Sequence, residues 1–249
     1  MGVNATTDYL QRFGFPESAL NDSRNLSLAL GTLQLAPLEV VRGYATFANG
    51  GYAVQPYLID RVRDFNGDVI YQATPKTACQ YQCEQADPSY APQTITPQVA
   101  YLTTSMMQDV IAYGSGRKAK KLERDDIAGK TGTTNNQVDA WFSGFNPHIA
   151  TTVWVGFDSP TSLGRSEVGG RAALPIWIDY MDTALAPYPN QPFSTPSGLV
   201  HLPIDPDTGQ AVSAETPGAV FEVFREDNAP EMPSLEATEM DKITREWFQ

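Results

Sequence analysis

The sequence has little of the chemistry that metal and redox sites require. It carries two histidines and two cysteines in 249 residues. Cys79 and Cys83, with no histidine nearby, cannot complete a four-ligand zinc site, and neither a metal site nor a cofactor box is indicated. His148 falls in a turn and His201 near the C-terminal end, so no Ser-His-Asp arrangement is indicated. Positive charge is also short. The net charge of -12 removes the electrostatic case for nucleic-acid binding. No apolar run approaches the ~18 residues of a membrane span, and no basic-then-apolar leader opens the chain. An export signal or anchor is therefore expected outside this sequence or not at all.

What is present describes a globular chain with a core, 41% hydrophobic. Its length suits one large domain, or one domain plus an appendage. A helix is expected over residues 4–13, capped by Asn4, with Tyr9, Leu10 and Phe13 on its apolar face and Gly14 as its stop. The apolar run Leu26 to Leu30 ends at Gly31. Pro37 opens a second helix through Leu38, Val41, Tyr44, Ala45 and Ala48. Residues 57–72 read as a hairpin on a two-residue Asn66-Gly67 turn. Residues 73–96 form a loop holding both cysteines. They are either free thiols or a local Cys79–Cys83 disulfide, and the polar loop favours the disulfide in an oxidising compartment. Pro97 opens a third helix through Val99, Leu102, Met106, Val110 and Ile111. Three strands joined by short turns follow, near 126–135, 138–145 and 149–157, as an antiparallel meander. Leu174 to Leu185 is amphipathic. After Ala186 the chain turns acidic and proline-rich, with -8 of the net charge. There a small hairpin near Asp205–Gly209, a strand from Ala219 to Phe224 and an otherwise poorly structured tail are expected.

Chemistry concentrates in Gly129-Lys130-Thr131-Gly132-Thr133-Thr134. A strand of this composition, placed at a sheet edge, offers its backbone to an extended peptide as an added strand. Lys130 adds charge, Thr131 and Thr133 add hydroxyls suited to a carboxylate, and Gly132 permits close approach. The Thr133 N–H is placed to form half of an oxyanion hole. The bland alternative is a surface turn with a solvated lysine, and a Lys-Thr-Gly triplet alone is weak.

The neighbours of the triplet decide between them. The run Gly129 to Pro147 resembles the third-motif strand and hairpin of penicillin-binding proteins, in particular the bifunctional class A enzymes. That family carries Ser-x-x-Lys, then Ser-x-Asn, then Lys-Thr-Gly. Leu26 to Gly31, Pro37-Leu38-Glu39 and Tyr44 to Gly51 resemble stretches downstream of the second motif. Gly114-Ser115-Gly116-Arg117-Lys118-Ala119 resembles the turn before the third, and Val153 to Asp158 the last sheet strand. The resemblance runs through residues 1–190. It implies an α+β fold of the penicillin-binding and serine β-lactamase type, an antiparallel sheet flanked by helices, here truncated at its N-terminal side. The division expected is 1–190 for the transpeptidase part and 191–249 for an acidic extension.

Two formal motif matches are out of place. In the family order Ser-x-x-Lys comes before Ser-x-Asn, whereas here Ser23-Arg24-Asn25 comes first, ahead of Ser115-Gly116-Arg117-Lys118. Ser115-Gly116-Arg117-Lys118 puts a serine between two glycines after a helix has ended, where a nucleophile should open one. The chain is therefore expected to begin just after the second motif and to hold no nucleophile. The family resemblance implies a peptidoglycan transpeptidase that attacks D-Ala-D-Ala stem peptides with a serine and is acylated by β-lactams. It also implies a membrane-anchored parent on the periplasmic face of the inner membrane, with cell-wall synthesis partners. By the same resemblance, Lys130 and Thr133 are the catalytic candidates, and Thr131, Gly132, Thr133 and Thr134 bind substrate. Asp139 is expected to bond locally, and Trp141 and Trp154 to pack the sheet. Arg165 and Arg171 are expected at the solvent. The alternatives are a non-catalytic binding or scaffolding module and a complete β-lactamase-like hydrolase using Ser115.

Overall fold

The computed structural model describes residues 2–79 and 87–232, which fall into two compact units, one ending at Ser194 and one beginning at Thr195. In the first unit the helices are α1 (Val3–Gln11), α2 (Glu17–Asp22), α3 (Pro37–Ala48), α4 (Pro97–Ala112), α5 (Gly169–Ala172) and α6 (Leu174–Ala184). Its strands are β1 (Arg61–Arg63), β2 (Val69–Gln72), β3 (Ala128–Thr133), β4 (Ala140–Phe145) and β5 (Ala150–Val155). The second unit holds β6 (Leu199–Ile204) and β7 (Val220–Arg225).

The centre of the first unit is the antiparallel sheet β3-β4-β5, the meander expected from the short turns. Residues alternate between its faces. On one face Ala128, Phe145 and Ala150 meet Tyr44, Phe47 and Ala48 of α3, Met107 of α4, and Phe193. On the other Phe142, Val153 and Val155 meet Leu174, Trp177, Ile178 and Met181 of α6, with Ile111, Ala119 and Ile127 closing the cluster. Helices thus cover both faces, and the α+β fold follows from that layering. Trp177 is wholly buried, 4.9 Å from Phe142 in an edge-on pair, and its indole N–H donates to the Thr151 carbonyl at 3.1 Å.

Local chemistry explains the helix starts. Pro37 and Pro97 occupy first helical positions, where a missing N–H costs nothing. Glu39 reaches back to the Ala36 N–H at 2.7 Å, and the Thr96 hydroxyl accepts from Val99 N. Arg42 of α3 ties down the end of α1, donating to the carbonyls of Phe13 and Gly14. Phe13 then stacks on Phe15 and packs on Phe47 in a third cluster with Ile95 and Ala100.

Several expectations are corrected. Gly2, not Asn4, precedes α1, and Asn4 lies inside the helix, where its side-chain amide oxygen Oδ1 accepts from Arg24. Phe13 is buried beyond the helix end rather than along its face. The β1–β2 hairpin forms, but not on a two-residue turn. The Asp64 carboxylate accepts from both Asn66 N and Asp68 N at 2.9 Å, and Gly67 takes φ +89°, so the loop is longer and the register shifts by one residue after Val62. Met106 faces solvent while Ala100, Thr104, Met107 and Ile111 face inward, so the inner stripe of α4 is partly made of small residues. Phe157 lies past the end of β5 and is exposed.

In the second unit Leu199 pairs with Arg225 and Ile204 with Val220. The turn at Asp205 is present, its carboxylate accepting from Asp207 N at 2.8 Å. The long partner of β6 is β7, however, so the strand that enters the expected hairpin pairs along its length with Val220–Arg225, and only an isolated Ile204–Ala211 bridge crosses the Asp205 turn. Cys83 lies outside the described residues, and the Cys79–Cys83 pairing stays an expectation.

Candidate active-site wall

Strand β3 is an edge strand, with β4 on one side and no strand on the other among the described residues. The phase of its ladder fixes what that edge presents. Thr134 N donates to the Asp139 carbonyl at 3.1 Å in the same register as the ladder, which pairs Lys130 with Ser143 and Gly132 with Trp141. The even-numbered positions therefore exchange backbone bonds with β4. In an antiparallel pair the intervening residues turn their N–H and C=O the other way. Thr131 and Thr133 thus aim both backbone groups at the open edge. Lys130 bends toward that edge, its ammonium donating to the Thr131 carbonyl at 3.0 Å.

Side chains follow the same alternation. Lys130 shares its face with Ser143 and Thr152, its partners across the three strands. Ser143 is buried and accepts from the Thr152 hydroxyl at 2.9 Å. It also bonds the Tyr44 phenol, whose pKa burial raises more than this bond lowers it. Thr131 and Thr133 point to the opposite face. The Thr131 hydroxyl lies 2.6 Å from that of Ser115, and the Thr133 hydroxyl accepts from Gly169 N at 3.0 Å.

Gly132 is confined from both sides. A Cβ there would sit 3.1 Å from Trp141 Cβ. Across the strand, a Cβ on Gly169 would lie 2.5 Å from the Gly132 carbonyl and inside that of Trp141. Thr134 is committed to the turn, its hydroxyl bonding both the Asp139 N–H at 2.8 Å and the Asp139 carboxylate at 3.1 Å. The other Asp139 oxygen accepts from the Trp154 indole at 2.9 Å, and Trp141 packs on Trp154 with centroids 6.1 Å apart.

The β3 approach is pinned by an ion pair that spacing did not reveal. The wholly buried Asp126 carboxylate takes Arg124 Nε and Nη2 at 2.8 and 2.7 Å. Gln191 N and the Asn146 amide complete its shell at 3.2 and 3.3 Å. Burial pushes this carboxyl up, but the Arg124 guanidinium, with Gln191 N and Asn146, outweighs it and holds the pKa below the ordinary value. Arg124 also donates to the carbonyls of Tyr188 and Pro189, fastening the segment after α6.

The remaining candidates stand apart. Ser23 is buried at the end of α2, and the Asn25 side chain caps the following turn by accepting from Ser27 N. Lys118 borders a shallow recess with Lys121, Pro175, Ile178 and Asp179. His148 stacks on Tyr188 at 4.7 Å. Arg165 is exposed, and Arg171 pairs with Glu167 at 3.6 Å at the surface. Among the described residues no group of His, Cys, Asp and Glu is placed to hold a metal ion, and no helix is long and apolar enough to cross a membrane.

Comparison with known proteins fits this geometry. The family model for the penicillin binding protein transpeptidase domain matches residues 2–178. Penicillin-binding protein 1A of Pseudomonas aeruginosa is 41% identical over 266 residues, covering 92% of this chain and 32% of that protein. Penicillin-binding protein 1A of Neisseria lactamica is 46% identical over 200 residues, covering 80% and 24%. Among solved structures, penicillin-binding protein 1A of Haemophilus influenzae superposes with a TM-score of 0.82 at 35% identity, over 94% of this chain and 38% of that one. The chain spans about a third or less of the length of these curated relatives. The chain belongs to the transpeptidase-domain family of penicillin-binding proteins.

Proposed function

We propose that this chain forms the substrate-binding wall of a peptidoglycan DD-transpeptidase of the class A type. The observation that carries the reading is the edge of β3, where Thr131 and Thr133 present outward N–H and C=O groups beside the Lys130 ammonium. A D-Ala-D-Ala stem peptide would lie along this edge as an added strand. The Thr131 and Thr133 hydroxyls would hold its terminal carboxylate, and the Thr133 N–H would stabilise the oxyanion. Lys130 would supply positive charge and assist proton movement near the reacting centre.

The nucleophilic serine and its base belong, in this reading, to sequence outside this chain. That serine attacks the penultimate D-Ala carbonyl, the peptide C–N bond breaks, and the terminal D-Ala leaves with the proton. The amine of a second stem peptide then attacks the ester and frees the serine. β-Lactams share the carbonyl and carboxylate and acylate the same serine. By family resemblance the parent works at the periplasmic face of the bacterial inner membrane alongside other cell-wall synthesis proteins. The chain by itself would be inactive.

A labelled penicillin tests this. The expected result is no covalent label on the 249-residue chain and label on a longer protein that includes it. Label on the chain at Ser115 would replace this reading with a self-contained hydrolase. The geometry speaks against that outcome, because Ser115 bonds Thr131 while Lys118 borders a different recess.

A further inference from the structure

Two segments that are not on β3 control its two hydroxyls. Ser115 lies in a turn fixed by the end of α4, where Gly114 N and Gly116 N both donate to the Val110 carbonyl at 3.1 and 3.0 Å. Its hydroxyl meets Thr131 Oγ1 at 2.6 Å. Gly169 is buried against the Gly132 backbone, and its N–H donates to Thr133 Oγ1 at 3.0 Å. The two segments also touch each other, since a Cβ on Gly170 would come within 2.9 Å of the Ser115 carbonyl. Ser115, Gly169 and Gly170 thus form a clasp behind Thr131 and Thr133.

A hydroxyl has one proton and two lone pairs. The Gly169 N–H occupies a lone pair of Thr133 and leaves its proton to be given elsewhere. If Ser115 donates to Thr131, the same holds there. Hydroxyls that accept in this way are polarised and become better donors.

We propose that Ser115 and Gly169 are positioning residues. They fill acceptor lone pairs on Thr131 and Thr133 so that both hydroxyl protons face a substrate carboxylate at the β3 edge. Neither touches the substrate. The formal Ser-x-x-Lys match at Ser115 therefore has a use other than nucleophilic attack. The inference rests on the proposed role of Thr131 and Thr133 as carboxylate holders.

The test compares acylation of the longer protein by a penicillin and by its methyl ester, giving a carboxylate preference for each variant. In Ser115→Ala the preference falls about fivefold, the size of one neutral hydrogen bond, while the ester rate holds. Ser115→Thr, which keeps the hydroxyl, restores it. An unchanged preference in Ser115→Ala beside a reduced one in Thr131→Ala overturns the clasp but leaves the carboxylate reading standing. An equal fall for acid and ester makes Ser115 merely structural and also overturns the clasp. An unchanged preference in both variants removes the carboxylate reading and the clasp with it.

Discussion

Arg124 and Asp126 meet fork to fork, with Nε and Nη2 on the two carboxylate oxygens at 2.8 and 2.7 Å and the carboxylate wholly shielded from water. Asp126 lies just before β3, and Arg124 also holds the carbonyls of Tyr188 and Pro189, so this pair joins the start of the motif strand to the segment after α6. Removing one partner strands a buried charge. Arg124→Ala is expected to cost about 3–5 kcal/mol, read by chemical denaturation of a protein containing the domain. Replacing both by a matched apolar pair should cost far less.

The same pair sets a pH dependence. The folded pKa of Asp126 lies below its unfolded value of about 3.9. Its contribution to stability is present above that unfolded value and is lost as pH falls through the lower folded one. The stability gap between the wild type and Asp126→Asn should be flat above about pH 5 and shrink on acidification below about pH 4. A gap that widened on acidification would contradict this.

Trp177 joins α6 to the sheet by both packing and a hydrogen bond to Thr151. Trp177→Ala is expected to cost about 3–5 kcal/mol, from lost burial and the cavity left behind. Trp177→Phe keeps most of the packing and should lie well below that in the same denaturation series.

The phase of the β3 ladder makes a sharp prediction for proline. At Thr133 proline deletes an N–H that faces the open edge, while at Lys130 it deletes one that bonds β4. Thr133→Pro should melt closer to the wild type than Lys130→Pro does. In the longer protein it should still lose about 10²- to 10³-fold in acylation by penicillin, as expected for one oxyanion donor. Equal melting of the two variants would show that the assigned phase is wrong.

The sequence by itself determined the elements whose signals are local. Proline openings placed α3 and α4, alternation and short turns placed the β3-β4-β5 meander, and the spacing of Leu174, Trp177, Ile178 and Met181 placed the inner face of α6. It also marked Lys130 to Thr133, because a cation, hydroxyls and glycine on one strand are chemically distinctive in any context. Where local signals compete, a local rule alone does not select the structure. Asn66-Gly67 suggested a two-residue turn until the Asp64 carboxylate captured two N–H groups, and Met106 kept the helical period yet lies on the outward face.

Only the tertiary structure decided what surrounds the motif. No spacing rule links Ser115 to Thr131, Gly169 to Thr133, or Asp126 to Gln191. Those contacts exist because α4, α5 and the segment after α6 converge on one strand. Which backbone groups of β3 stay free was likewise decided by its register with β4. Local propensity is written residue by residue, whereas the partner a group finds depends on where distant segments pack.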